Sequence, residues 1–149
     1  VSDNVCQGDN SGTGIRIYEG SQNIIRNNTC TNKFYGISLN YYSAGNEISS
    51  NCCSQNTVGI SIGQNCSNNF ILSNDCSNNG ASGIDLWGRS DNNTVKWNNC
   101  SGNKSGISIE TCLDSVIDGN TCSDNSYYGI EIRNSPATTI SNNICSVTI

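Results

Sequence analysis

Two acidic residues, Asp85 and Glu131, are the side chains of this 149-residue chain best placed for acid–base chemistry. Each directly follows a Gly-Ile pair, and Ser108 occupies the equivalent position between them. The two residues lie two repeats apart, about 10 Å if the repeats stack as neighbouring strands, which is just beyond the range of an inverting glycosidase pair. The chain also contains no His, the commonest general base. The composition therefore favours a non-catalytic protein, with Asp85 and Glu131 as the only catalytic candidates.

Aromatic rings offer a second kind of chemistry, because they can stack on sugars while neighbouring polar groups hydrogen-bond the hydroxyls. The carbohydrate-binding candidates are Tyr18, Tyr41, Tyr42, Trp87 and Trp97. Two of these rings directly follow a Gly-Ile segment, and two lie in an adjoining bend. The alternative, that the rings only pack along the outer surface, stays open.

Ten cysteines raise the questions of metal binding and disulfides. Seven recur at one position of an internal repeat: Cys6, Cys30, Cys53, Cys76, Cys100, Cys122 and Cys145. A straight column of thiols does not supply four tetrahedral zinc ligands, and parallel side chains disfavour disulfides. We expect buried free thiols that act as small apolar residues, without metal or cofactor. Cys52, Cys66 and Cys112 lie outside the column and are predicted to be unpaired surface thiols.

A repeat of about 23 residues positions all of these side chains. Gly-Ile pairs begin at Gly14, Gly36, Gly59, Gly83, Gly106 and Gly129. Each column cysteine is preceded two positions earlier by an asparagine: Asn4, Asn28, Asn51, Asn74, Asn98, Asn120 and Asn143. A further column contains Ile25, Ile48, Ile71, Val95, Ile117 and Ile140. Periods of this length indicate a solenoid.

Within each repeat, apolar and polar residues alternate over three to five positions, as in Ile37-Ser38-Leu39. This alternation is typical of short strands with one buried face. Asn, Gly and Ser separate the strands and suit bends. The sequence predicts an all-β fold, a right-handed single-stranded parallel β-helix of six to seven coils. Residues 1–149 would form one domain, either a segment of a larger chain or a stacking subunit.

Stacked coils place equivalent residues about 4.8 Å apart. The Ile and Cys columns are predicted to fill the lumen. The Asn column is predicted to form a ladder in which side-chain amides bond one another and satisfy backbone groups at the bends.

Composition restricts the partners. The net charge is -5 and the seven Lys and Arg are scattered, which disfavours nucleic acid. No apolar segment is long enough to insert into a membrane. Low charge with abundant Asn, Ser and Thr predicts an extracellular or cell-surface location.

The phrase Asn-x-Ile-x-x-Asn-x-Cys-Ser-x-Asn, followed by Gly-Ile-x-Leu, resembles the parallel β-helix repeats of NosD-like proteins, including the Cys-bearing repeats of archaeal surface proteins. The resemblance covers residues 4–149 and implies an exported repeat module. It also implies copper delivery, but without His or Met only Cys is left as a soft copper ligand.

Taken together, the sequence predicts a non-catalytic module of an extracellular or surface protein with a structural, assembly or adhesive role. Two alternatives stay open: a β-helix that binds or cleaves polysaccharide, and an ice-binding β-helix, suggested by Thr29-Cys30-Thr31. The expected partners are carbohydrate, neighbouring domains, or further copies associated end to end as a filament.

Overall fold

The computed structural model describes residues 1–147, and its regular elements are fourteen β-strands. In chain order they are β1 (Val5–Gln7), β2 (Thr13–Tyr18), β3 (Ile24–Arg26), β4 (Thr29–Thr31), β5 (Tyr35–Asn40), β6 (Glu47–Ser49), β7 (Val58–Ile62), β8 (Phe70–Leu72), β9 (Ser82–Trp87), β10 (Thr94–Lys96), β11 (Ser105–Glu110), β12 (Val116–Asp118), β13 (Tyr128–Arg133) and β14 (Thr139–Ser141). Each pairs in parallel with the equivalent strand of the next coil. The predicted parallel β-helix is confirmed.

Two six-stranded parallel sheets form two sides of the coil. The long-strand sheet contains the Gly-Ile segments in the order β13-β11-β9-β7-β5-β2. The short-strand sheet contains the Ile and Val column in the order β14-β12-β10-β8-β6-β3. Because each strand has its neighbour in the adjacent coil, the sheets run the length of the solenoid.

The third side of the coil contains little regular strand. Only β1 and β4 pair as strands there, and from Thr29 of β4 onward each coil is joined to the next by one bridge residue. The bridge residues are Thr29, Cys52, Asp75, Asn99, Thr121 and Ile144. From Cys30 to Cys122, pairing stops because a residue with positive φ, such as Gln55 at 59°, turns the chain two positions after the column cysteine. This column contains only two threonines, so the ice-binding alternative gains no support.

The lumen is filled by the predicted aliphatic and cysteine columns. Ile60, Ile84 and Cys76, from the central coils, are 0 % exposed. Cys6 is half-buried and Cys145 is exposed, because a neighbouring coil covers each of them on one side only. All ten cysteines are free.

Asparagine ladders close the bends. In the column predicted from sequence, the Oδ1 atom of Asn98 accepts hydrogen bonds from the backbone N–H and the side-chain amide of Asn74, at 2.8 and 3.0 Å. Asn23, Asn46, Asn69 and Asn93 form a second ladder of the same kind. A third ladder links Asn56, Asn79, Asn103 and Asn125 through backbone N–H groups and was not predicted.

The prediction that Cys66 and Cys112 are surface thiols is wrong, because both are 0 % exposed. They belong to an inward column at the bend after the long strands: Ser43, Cys66, Ser90, Cys112 and Ser135. Here the Cys66 N–H donates to the Ser90 hydroxyl at 3.2 Å, and the Cys66 thiol donates to the Gly63 carbonyl. Burial raises the pKa of Cys66, and raises that of Cys112 to about 11.

Within residues 1–147, the structure has no helix with the length and apolar character needed to cross a bilayer. The expectation of one domain over residues 1–149 stays a prediction, and its last two residues lie outside the part of the chain described.

Candidate functional site

The candidate site lies on the outer face of the long-strand sheet, where the outward side chains form columns along the solenoid. The central column contains Arg16, Ser38, Ser61, Asp85, Ser108 and Glu131. One flanking column includes Tyr18, Asn40, Trp87, Glu110 and Arg133, and the other includes Tyr35, Val58, Ser82, Ser105 and Tyr128. Serines alternate with larger side chains within these columns, so the depth of the outer face changes from coil to coil.

In the first coils, side chains of a flanking column fold over the central serines. The Asn40 amide donates to the Ser38 hydroxyl, and the Trp87 indole N–H donates to the Ser61 hydroxyl at 3.2 Å. The indole reaches this position because Gly63 lies beneath it, where a Cβ atom would be 2.2 Å from the ring. Ser38 and Ser61 are consequently only 3 % and 2 % exposed, so this half of the face is closed.

The last coils contain an open cleft of about 370 Å³. Its lining residues are Ala81, Ser82, Lys104, Ser105, Ser108, Tyr127, Tyr128, Glu131 and Arg133. The residues Tyr127 and Tyr128 are 66 % and 46 % exposed, so much of their surface faces solvent. The cleft thus combines aromatic surface with hydroxyl, cationic and anionic groups.

Charged groups in the cleft are held by short contacts. Arg133 Nε donates to the Glu131 carboxylate at 2.9 Å, which fixes both side chains at one edge. The Lys104 ammonium lies 4.8 Å from the centre of the Tyr127 ring, a cation–π arrangement. The Glu131 charge is therefore balanced by Arg133, and the Lys104 charge is left available to a ligand.

Asp85 is half-buried next to the cleft, rather than freely solvated as an exposed sheet residue usually is. Its pKa is raised to about 6, first by burial and then by the negative charge of Glu110 and Glu131, while a hydrogen bond with Ser108 opposes the shift. Asp85 therefore changes its protonation state within a mildly acidic range.

The structure brings Asp85 and Glu131 into the same column, separated by Ser108, but only Glu131 lines the cleft. Two strand spacings separate their strands, about 10 Å. This matches the distance expected from the sequence.

The aromatic candidates are only partly brought together. Tyr18 and Tyr41 are in ring contact, with centroids 4.6 Å apart. Trp87 lies on the same outer face, and Tyr42, next to Tyr41 in the chain, is 68 % exposed. Trp97 directly follows β10, a strand of the short-strand sheet, so it does not lie on the outer face of the long-strand sheet.

Sequence reasoning did not identify the cleft aromatics Tyr127 and Tyr128 or the cations Lys104 and Arg133. One signal was present: two aromatic residues precede a Gly-Ile pair at Phe34-Tyr35 and again at Tyr127-Tyr128. The cations gave no periodic signal, because outward positions differ from coil to coil.

Fold and site together define a parallel β-helix with an open aromatic cleft on the outer face of its longest sheet. The family described as "Periplasmic copper-binding protein (NosD)" matches residues 1–147. The chain belongs to the NosD family, as its repeats suggested. A comparison with curated proteins found no match.

The description of the family implies copper, which we tested against the donor atoms. Thiolates suit Cu(I), but the chain has no His or Met to complete a site. The column thiols do not share one shift: burial raises the pKa of Cys76 well above its usual value, whereas hydrogen bonds from the thiols of Cys30 and Cys76 lower the pKa of Cys53 to about 5. Within the described residues, no group of three or more His, Cys, Asp or Glu side chains is arranged to hold a metal ion. The residues present do not fit a copper centre.

Solved structures similar to the chain include alginate epimerases. It is 30% identical to the periplasmic alginate epimerase AlgG over 88% of its own length, with a TM-score of 0.85. The A-module of the Azotobacter vinelandii mannuronan C-5 epimerase AlgE4 is 15% identical over 99% of the chain, with a TM-score of 0.81, a likeness of fold alone. The chain spans 32% of the AlgG structure and 55% of the AlgE4 module.

Proposed function

We propose that this protein is an extracellular or cell-surface β-helix module that binds polysaccharide without cleaving it. The binding site is the outer face of the long-strand sheet, with the cleft beside Ser108 as its centre. Its role is adhesive or structural: the module holds a glycan against the solenoid.

The observation that carries this proposal is the composition of the cleft. Tyr127 and Tyr128 expose ring faces, and Ser108, Glu131 and Lys104 offer acceptors and donors for hydroxyl groups within the same space. Aromatic stacking combined with a few placed polar groups is the usual chemistry of sugar recognition. A cleft of about 370 Å³ lies within the size range of small-ligand sites.

The comparisons support this direction. The family is described as periplasmic. The solved structure to which the chain is 30% identical is named an alginate epimerase, a protein that acts on a polysaccharide. The chain covers only 32% of that structure. The ligand proposed for this chain therefore rests on the residues of its own cleft.

Binding is tested by isothermal titration calorimetry with soluble alginate, pectate, xylan and dextran. We expect at least one polymer to bind the native protein. Tyr128→Ala should weaken this binding about tenfold, because a ring that covers a sugar face is lost. Tyr128→Phe is expected to retain most of the affinity.

Phe70→Ala is the matched control, since Phe70 is also an exposed aromatic residue but lies on the short-strand sheet, away from the cleft. Equal losses in Phe70→Ala and Tyr128→Ala, with both proteins folded, would contradict the proposed site. So would the absence of binding to all four polymers.

A second candidate function is modification of the polysaccharide, favoured by the raised pKa of Asp85. A carboxyl group that titrates near pH 6 is suited to proton transfer. Uronate polymers are incubated with the protein with and without calcium, and products are followed by absorbance of unsaturated ends and by NMR. Activity lost in Asp85→Asn or Glu131→Gln would support catalysis, and unchanged activity in both would remove this site.

We further propose that copies of the protein associate end to end and cover the terminal turns. Ile140 and Ile144 in the last coil are 50 % and 59 % exposed, whereas Ile117 one coil earlier is 0 % exposed. Analytical ultracentrifugation and electron microscopy of the isolated protein test end-to-end association. A monomer at every concentration tested would contradict the association of copies.

A further inference from the structure

We propose that the outer face contains a second sugar subsite, formed by Arg16, Tyr18 and Tyr41 at the opposite end from the cleft. One linear strand of acidic sugars would then lie along the solenoid axis and occupy both places. This inference rests on the proposed function and specifies its ligand.

The second subsite is a small aromatic platform with a cation above it. The rings of Tyr18 and Tyr41 have centroids 4.6 Å apart and are inclined by 39°. The Arg16 guanidinium lies 5.0 Å from the centre of the Tyr18 ring. Tyr18 is 49 % exposed and Tyr41 38 %, so ring surface stays available to a ligand.

The charges at the two ends indicate an acidic ligand. Among the described residues, the ion pairs are Lys96 with Asp118 and Arg133 with Glu131, so neither Arg16 nor Lys104 is neutralised in this way. Each of these two cations lies against a tyrosine ring. A sugar stacked on either ring would place a ring carboxylate beside the cation, and guanidinium is well suited to pair with it.

The register of the sheet places both ends on one face, with Tyr18 and Tyr128 in opposite flanking columns, so the strand would cross the central column between them. Arg16 and Glu131 belong to the same outward column, five strand spacings apart, about 24 Å. An extended hexose chain advances by a length similar to one strand spacing, so a strand of about six sugars reaches both ends. Each coil then meets one sugar.

Between the two ends, the strand would pass the closed half of the face and then Asp85, whose charge opposes an acidic ligand except below about pH 6, where burial keeps this carboxyl group protonated. Asn40 and Trp87 cover Ser38 and Ser61, so the strand would pass over an amide and an indole. Trp87 is half-buried, leaving part of its ring open to stack on a sugar in this middle section.

Two weak subsites on one strand predict a dependence on ligand length. A short oligomer fills one subsite, whereas a longer oligomer engages both and gains from the high effective concentration of the second contact. Affinity should rise steeply with length and then level off once both ends are reached.

The test measures binding of oligomannuronates of two, four, six and eight sugars by calorimetry at pH 5, where Asp85 is protonated, with cellohexaose as the neutral control. We expect the six-sugar oligomer to bind at least tenfold more tightly than the two-sugar oligomer, with little further gain at eight. The double variant Arg16→Gln with Tyr18→Ala should weaken six-sugar binding about tenfold and leave two-sugar binding unchanged. Tyr128→Ala should weaken both.

Tyr18→Phe keeps the ring and is expected to behave as the native protein, while circular dichroism verifies the fold of each variant. Equal affinity for two and six sugars, or six-sugar binding unaffected by the double variant, would overturn the second subsite and leave the cleft intact. Cellohexaose bound as tightly as the acidic hexamer would overturn the acidic ligand. Binding of one of the four polymers but of none of these oligomers would overturn the acidic strand alone, whereas no binding to the polymers either would overturn the proposed function as well.

Discussion

The two faces of each long strand follow different rules. In β9, the inward residues Ile84 and Leu86 are 0 % exposed, and the equivalent positions of every other long strand are also Ile or Leu. The outward residues Asp85 and Trp87 are half-buried, and their columns change residue type at almost every coil. One backbone therefore carries a uniform interior and a varied exterior.

Stacking explains this difference. An inward side chain contacts its equivalents in the coils on both sides, so a change in size or polarity disturbs two neighbours at once. An outward side chain meets solvent or a ligand and is free to vary. The regular columns thus determine the fold, and the irregular outer face is where a specific ligand can be recognised. Variants that separate the two faces test this conclusion.

The largest loss of stability is expected when a side chain is added to a glycine of the long-strand sheet. A Cβ atom on Gly59 would lie 2.5 Å from the Gly83 carbonyl oxygen in the next coil, a backbone atom that cannot move aside. Gly59→Ala should lower the free energy of unfolding by about 4 kcal/mol or prevent folding. Gly80→Ala is the control, since its Cβ would meet nothing closer than 3.8 Å, and it should change stability by less than about 1 kcal/mol. Urea denaturation measures both, and similar losses would contradict the close stacking.

The next largest difference is expected between two adjacent asparagines. Asn98 is 1 % exposed; it accepts two hydrogen bonds from Asn74 and donates to the Ile71 carbonyl. Asn98→Ala leaves several buried groups unpaired and should cost about 3 kcal/mol. Asn99, on the outside, has one exposed hydrogen bond, to Asp75, so Asn99→Ala should cost less than about 0.5 kcal/mol. Equal melting temperatures for the two variants would show that the ladder adds little.

The fold could be predicted because inward columns repeat their residue type. Ile at one position and Asn-x-Cys at another mark the lumen and the bends even in a single sequence. The column of Cys66 was missed because it alternates between Ser and Cys, which share hydrogen bonding but not hydropathy. The cleft was missed for a different reason. Its aromatic and cationic residues occur together in only one part of the chain and do not recur in the other repeats: Lys104, Tyr127, Tyr128 and Arg133.

A smaller change in stability is expected in the column that contains Cys66 and Ser90, where it distinguishes hydrogen bonding from apolar packing. The Cys66 thiol donates to the Gly63 carbonyl at 2.8 Å, just as the Ser90 hydroxyl donates to the Trp87 carbonyl at 2.8 Å. Cys66→Ser preserves this bond and should change stability by less than about 1 kcal/mol. Cys66→Ala removes it and should cost about 2 kcal/mol, measured by thermal and urea unfolding. If serine were the more damaging substitution, the site would be an apolar pocket rather than a ladder.

The smallest effect concerns the outer face and depends on pH. Folded Asp85 keeps its proton up to about pH 6, whereas the unfolded chain releases it near the ordinary value of 3.8. The folded state therefore binds more protons between these values, so the stability from this group falls as pH rises from about 4 to 6 and is lost above. Asp85→Asn should raise the free energy of unfolding by about 1 kcal/mol at pH 8 and leave it unchanged below pH 4.

Asp118, on β12 of the short-strand sheet, supplies a control of opposite sign. Hydrogen bonds from Ser141 and Asn142 lower its pKa, so its contribution is present above the unfolded pKa and is lost as pH falls. Asp118→Asn is therefore expected to reduce stability at pH 8, where Asp85→Asn increases it. Because both variants remove one negative charge from the same solenoid, a general charge effect would move them in the same direction. Opposite shifts in urea midpoint at pH 8 would show that the local environment of Asp85, burial beside two further carboxylates, is what distinguishes the outer face.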